Sequence, residues 1–121
     1  MCADKTAAPV DMSLLLEVTD NDPQQLREIV ELYLHESDGL IRKLETAIRT
    51  HAAAEVAQVA HTYAGASASC GLVAVVPSLR QLEHLGRTGQ LAKAEQLYAE
   101  VRGGYERIAR FLDDYLSRVG V

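Results

Sequence analysis

The sequence is short of nearly everything that punctuates, cross-links or anchors a chain. Aromatic residues make up only 5% of its 121 positions, and tryptophan is absent. Eight glycines and three prolines are too few for an all-β sandwich, which needs a turn signal roughly every 8–12 residues. Two cysteines, Cys2 and Cys70, do not make a disulfide framework, so a reducing cytoplasm is the expected compartment. No basic cluster is longer than Arg42-Lys43 and the net charge is −5, which excludes the positive footprint that nucleic-acid binding requires. The longest apolar stretch, Cys70 to Pro77, falls far short of a membrane span, and Met1-Cys2-Ala3-Asp4-Lys5 lacks the basic and apolar regions of a signal peptide. Neither a nucleic acid nor a membrane is an expected partner.

What is present is alanine and leucine. They number 17 and 16, over a quarter of the chain, and both are strong helix formers. The composition predicts an all-α protein, and the length predicts one domain with one core.

Residues 1–10 are small, polar and proline-terminated, and read as a disordered lead-in to a domain spanning 11–119. Asp11 or Ser13 caps a short helix carrying Leu14, Leu15, Leu16 and Val18. Asp22-Pro23 then supplies a capping carboxylate followed by proline at the first helical position. From there Leu26, Val30, Tyr33, Leu40, Leu44 and Ala47 form one stripe, interrupted at Ser37 and weakened at Gly39, which predicts a long helix to about Arg49. A third helix runs from Ala52 to about Ser69 and stops near Gly71. The β-branched run Leu72-Val73-Ala74-Val75-Val76 resembles a strand, but Pro77-Ser78 followed by Leu79, Leu82 and Leu85 points to a helix ending at Gly86 or Gly89. In the last segment Leu91, Ala94, Tyr98, Val101, Tyr105, Ile108, Leu112, Tyr115 and Val119 alternate steps of three and four, a seam wanting one partner surface. Gly103-Gly104 is a soft spot in it that the sequence does not explain. Three long helices, one medium helix and short connections predict an antiparallel four-helix bundle with a short N-terminal capping helix.

The third helix carries the most specific signal. With about 100° per residue, Val56, Val59, Tyr63, Ala66 and Cys70 lie opposite His61 and should face the core. Around His61 itself lie Ala54, Ala57, Gln58, Ala64, Gly65 and Ala68. A solvent-facing helix normally bears Lys, Glu, Arg and Gln, so this face has been stripped. Gly65, one turn on, removes the side chain that would crowd the imidazole and does so at a cost in helix stability. Taken from the residues alone, His61 is either incidental among helix-forming alanines or the centre of a flat site approached by another macromolecule.

The segment Ala60-His61-Thr62-Tyr63-Ala64-Gly65-Ala66-Ser67-Ala68-Ser69-Cys70-Gly71 resembles the motif of histidine-containing phosphotransfer (HPt) domains, roughly His-x-x-Lys-Gly-(Ser/Ala)-(Ser/Ala)-x-x-x-Gly. Downstream, Leu82-Glu83-His84-Leu85-Gly86-Arg87-Thr88-Gly89 is similar to the family's Leu-Glu-x-x-Gly-Arg segment, and the resemblance covers about residues 12–117. It implies the four-helix fold and a phosphorelay carrier. His61 would accept a phosphoryl group from the aspartyl phosphate of a response-regulator receiver domain and pass it to a second receiver, a hybrid sensor histidine kinase being a further partner. A histidine with its ordinary pKa of about 6.5 is mostly neutral at pH 7 and keeps a lone pair for in-line attack, which the family makes from Nε2. The carrier is expected to need no cofactor of its own and to work as a monomer, because the receiver brings the Mg²⁺ and the acidic pocket. Ala57, Gln58, Ala64, Gly65 and Ala68 would serve docking and clearance.

One departure stands out. The family's lysine three residues after the histidine is Ala64 here. Either another cation steadies the phosphoryl charge, or transfer is slower, or the domain is a degenerate adaptor that docks without carrying phosphate. A hairpin pivoting near His51 sets Arg42 and Lys43 level with His61, and a pivot near Cys70 does the same for Arg80, so these are the candidate cations. Gln58, one turn before His61, is either a hydrogen-bond donor to the site or an ordinary solvated side chain.

Other candidates carry less. His35, His51 and His84 share no metal-ligand spacing with His61, and no Glu-x-x-His pair occurs, so no metal site is expected. Cys70 lies on the predicted core stripe as a packed thiol, and Tyr98, Tyr105 and Tyr115 occupy the seam. Glu83 and His84 are adjacent on a helix and point different ways, so they make no acid–base pair, and Asp113-Asp114 reads as a solvated surface pair.

Overall fold

The computed structural model describes residues 8–120. Five α-helices follow in order: α1 (Met12–Val18), α2 (Pro23–Arg49), α3 (Ala53–Ser69), α4 (Val76–Thr88) and α5 (Ala94–Val119), with a 3₁₀ turn at Val73–Val75 before α4. No strand occurs among the described residues. The expected all-helical bundle with a short N-terminal helix is the observed fold.

The start signals act as their chemistry requires. The Asp11 carboxylate accepts from the Leu14 amide at 3.2 Å, and the Asp22 carboxylate accepts from the Gln24 amide at 3.0 Å with Pro23 opening α2 behind it. The long α2 is unbroken through Gly39, and Ser37 is buried inside its stripe beside Tyr33, whose hydroxyl shares a 3.0 Å hydrogen bond with Ser67 of α3. His51 turns the chain from α2 into α3 in the left-handed region, at φ 58°.

The expected disordered lead-in over residues 1–10 does not hold at its last two positions. Val10 is buried, and the Pro9 carbonyl accepts from the Ala74 amide at 3.1 Å, so both residues belong to the bundle. The rest of that expectation, residues 1–7, lies outside the described residues. The strand-like run after Gly71 becomes the 3₁₀ turn and the first turn of α4. Leu72 and Val75 are buried there as a plug beneath α5. This explains the soft spot: a Cβ at Gly104 would stand 2.8 Å from the Ala74 carbonyl oxygen, so the turn approaches α5 only because that side chain is missing.

Two core stripes are rotated relative to expectation. In α5 the buried residues are Ala94, Leu97, Val101, Gly104, Ile108 and Leu112, while Tyr98, Tyr105 and Tyr115 are half-buried at the flank and Val119 is exposed. A strict three–four alternation has a period of about 3.5, and a straight helix of about 3.6 drifts away from it by roughly 20° per heptad. In α3 the buried set is Val56, Val59, Ala60, Tyr63, Ala64 and Ser67, with Ala66 exposed and Cys70 only half-buried. The reason is that α3 packs against two neighbours, α2 on one side and α4 most extensively on the other, so its buried arc swings towards α4.

Candidate functional site

His61 stands exposed in the middle of α3, on the side facing α4. Its Nδ1 lies 2.9 Å from Oε2 of Glu83, which α4 supplies from across the helix pair. The Glu83 side chain is only 10% exposed, against 62% for His61. On α4, Arg80 lies three residues before Glu83 and Arg87 four residues after it, the spacing that returns a helix to the same face. Arg80 Nη1 reaches Glu83 Oε1 at 3.5 Å, and Arg87 Nη2 forms a closer ion pair with Oε2. One nearly buried carboxylate therefore joins an exposed imidazole and two guanidinium groups.

The protonation of the pair follows from the charges. Burial pushes the Glu83 carboxyl upward, but the His61 hydrogen bond, the Arg87 charge and the Arg80 hydrogen bond outweigh it and hold the group below the usual carboxylate range. An ionised carboxylate has no proton to give, so His61 Nδ1–H must donate. In a neutral ring that leaves the lone pair on Nε2. The same logic sets a pH dependence. Because Glu83 ionises at lower pH in the folded chain than in the unfolded one, its stabilisation is full at neutral pH. It falls as pH drops below the ordinary value of 4.5 and is lost below the depressed one. Urea midpoints of wild type and Glu83→Gln taken between about pH 5 and pH 3 should converge as the acid removes what the mutation has already removed. Parallel curves would contradict this role.

The expected docking face is only partly there. Gln58 is exposed, and a Cβ at Gly65 would meet nothing within 4 Å, so the surface beside His61 is open. Ala57 and Ala68 are half-buried, and Ala64 is fully buried. Ala64 is therefore a packing residue and not part of a contact surface. The α4 helix lies directly on the backbone at Ala57, where a Cβ at Gly86 would stand 2.5 Å from the amide nitrogen.

Of the three candidate cations, the structure brings only Arg80 to the His61 cluster. Arg42 pairs with Asp38 at 2.5 Å on the surface of α2, and it lines a shallow pocket with Lys43, Thr46, Thr50 and Glu55. Neither Arg42 nor Lys43 has a hydrogen bond or ion pair to the cluster among the described residues. Glu83 and Arg87 are the residues that sequence reasoning missed. The signal was available: Glu83 and Gly86 fall on the same face as Leu79 and Leu82, and a charge set within an apolar stripe is buried only when it has partners. His84, beside Glu83, points away and is exposed, as adjacent helix positions require. Among the described residues no group of three or more His, Cys, Asp or Glu side chains is placed to hold a metal ion. No described helix is long and apolar enough to cross a membrane.

Comparison with known proteins decides the family. The sequence matches the Hpt domain over residues 28–117, a span that contains His61, Arg80, Glu83 and Arg87. The chain belongs to the Hpt domain family. The fold of this Hpt domain is similar to the crystal structure of histidine-containing phosphotransfer protein B (HptB) from Pseudomonas aeruginosa PAO1, with a TM-score of 0.86 and 20% sequence identity over 93% of this chain and 97% of that one. A comparison with curated protein sequences finds no match. Membership places this Hpt domain among the histidine phosphotransfer modules of two-component signalling, a family whose members are typically non-catalytic phosphocarriers and whose class of partner is the receiver domain.

Proposed function

We propose that this Hpt domain is a phosphorelay intermediate in which Nε2 of His61 takes a phosphoryl group from the aspartyl phosphate of one receiver domain and gives it to the aspartate of another. The observation that carries the reading is the 2.9 Å hydrogen bond from Nδ1 to Glu83, which fixes the tautomer with the nucleophilic lone pair on the opposite nitrogen of an exposed side chain. The step balances. The Nε2–P bond forms as the P–O bond of the acyl phosphate breaks. The electron pair stays on the departing carboxylate, and the ring keeps its Nδ1 proton and becomes cationic. Glu83 is already in place to stabilise that cation. The receiver supplies Mg²⁺ and the acidic pocket, and the carrier supplies positioning. A hybrid sensor histidine kinase is the class of upstream partner, and the carrier acts as a monomer in the cytoplasm.

A second reading is favoured by one specific observation: position 64 is a fully buried alanine where the family motif has lysine. On that reading the domain is an adaptor that binds a receiver or kinase without carrying phosphate. Incubation with a phosphorylated receiver and Mg²⁺ separates the two. A carrier acquires a label that is lost in acid and survives base, whereas an adaptor co-elutes with the receiver and stays unlabelled.

A further inference from the structure

Glu83 has one negative charge and three partners, and they are not held equally. Oε2 is shared by His61 Nδ1 and Arg87 Nη2, while Oε1 has only Arg80 Nη1, at 3.5 Å, the loose end of hydrogen-bond range. The carboxylate is anchored by burial, whereas both guanidinium groups reach it from exposed side chains, and Arg80 makes the longer of the two contacts. We infer that Arg80 is the residue that neutralises the phosphoryl group on His61, released to it by an exchange of partners at Glu83. The inference rests on the reading of His61 as the phosphoryl acceptor.

The exchange follows from the charge balance of the transfer. Before it, Glu83 faces two guanidinium groups and the ring, which attacks in its neutral form. When the Nε2–P bond forms and Nδ1 keeps its proton, the ring becomes a full cation 2.9 Å from Oε2. Glu83 then has three cations for one charge, and a dianionic phosphoryl group has arrived on the other side of the same ring. Coulomb attraction favours moving the most weakly held cation from the oversupplied anion to the undersupplied one. That cation is Arg80. A single ring carbon separates the two ring nitrogens, and the planar guanidinium matches phosphoryl oxygens in pairs. Arg87 stays on Oε2 and keeps Glu83 in place. In the resting protein Glu83 thus stores the cation that its family relatives present from the position occupied here by Ala64. Arg42 has its own partner in Asp38, and the buried Ala64 offers no charge.

Phosphoramidate provides a test that needs no partner protein. Its P–N bond breaks, ammonia leaves, and the phosphoryl group passes to Nε2. With the full chain, the initial labelling rate should fall about tenfold in Arg80→Ala, the scale of one hydrogen bond to a charged group. Arg80→Lys should recover most of the rate, and Arg42→Ala should match wild type. On the wild-type protein, the ¹⁵N-detected Arg80 Nε–H resonance should shift on phosphorylation while that of Arg42 stays. Equal rates in Arg80→Ala and wild type, or an Arg80 resonance unmoved by phosphorylation, overturns the inference and leaves the acceptor reading intact. A wild-type chain that takes no label, or takes it away from His61, overturns both.

Discussion

His61→Gln is expected to abolish acid-labile labelling by a phosphorylated receiver and to leave the thermal midpoint within about 2 °C of wild type, the range of an exposed substitution. The two halves of this expectation have different physical sources. Labelling is lost because a carboxamide nitrogen has no lone pair free for attack on phosphorus, so no slower route through the same residue remains. Stability is kept because His61 is mostly exposed and Glu83 does not depend on it alone: Arg80 and Arg87 still satisfy the nearly buried carboxylate. A glutamine amide also remains able to donate to Oε2. The contrast is with truncating Glu83, which would strip the shared anion from between two guanidinium groups. His84→Gln is the matched control, since His84 is exposed one residue from Glu83 and outside the cluster. Its label should equal that of wild type. Label persisting in His61→Gln would assign the acceptor to another histidine and remove the basis for the carrier reading.

The parts of this picture written in short-range chemistry were legible from the sequence. Asp22-Pro23 starts α2 at the predicted residue because a capping carboxylate and a preset φ act within one turn. His61 was singled out by a helix face bare of charge, again a property of one helix. What the sequence did not disclose lies between helices. Glu83 has His84 as its neighbour in sequence, while its partner sits 22 residues earlier on α3. The alanines of α3 shared the same ambiguity. A small residue beside His61 is equally consistent with an open docking face and with a neighbouring helix pressed close. The structure divides them: Gly65 faces open space, Ala57 lies against α4, and Ala60 and Ala64 are fully buried. The rotation of the α3 core stripe has the same origin, since a helical wheel assumes one buried direction and α3 has two neighbours. Family resemblance supplied the function class, but the missing lysine at position 64 raised a question that only the geometry of α4 addresses.

Gly86→Ala is expected to destabilise the domain by about 2–3 kcal/mol, the usual scale of overpacking, and to disturb the site at the same time. A Cβ there would stand 2.5 Å from the Ala57 amide nitrogen, 2.7 Å from the Ala53 carbonyl oxygen and 2.9 Å from the Ala57 Cα. All three are backbone atoms of α3, so no side chain can rotate aside and the helices themselves must separate. Glycine-to-alanine in a helix interior normally gains about 1 kcal/mol of propensity, and here that gain is outweighed by lost packing between α3 and α4, whose Ala60, Ala64, Leu79 and Leu82 are all fully buried. Gly39 in α2 is the control that isolates the two effects, because a Cβ there would meet nothing within 4 Å. Gly39→Ala should therefore raise the thermal midpoint by a few degrees, while Gly86→Ala lowers it by about 10 °C. The functional consequence follows from position. Glu83 is one turn before Gly86 on α4, and its hydrogen bond to His61 spans the same two helices that the new methyl group forces apart. Labelling of His61 in Gly86→Ala should consequently slow even at temperatures where the variant is fully folded. A variant as stable as wild type would mean that α3 and α4 are not held at this separation, and the geometry of the His61–Glu83 pair would lose its structural support.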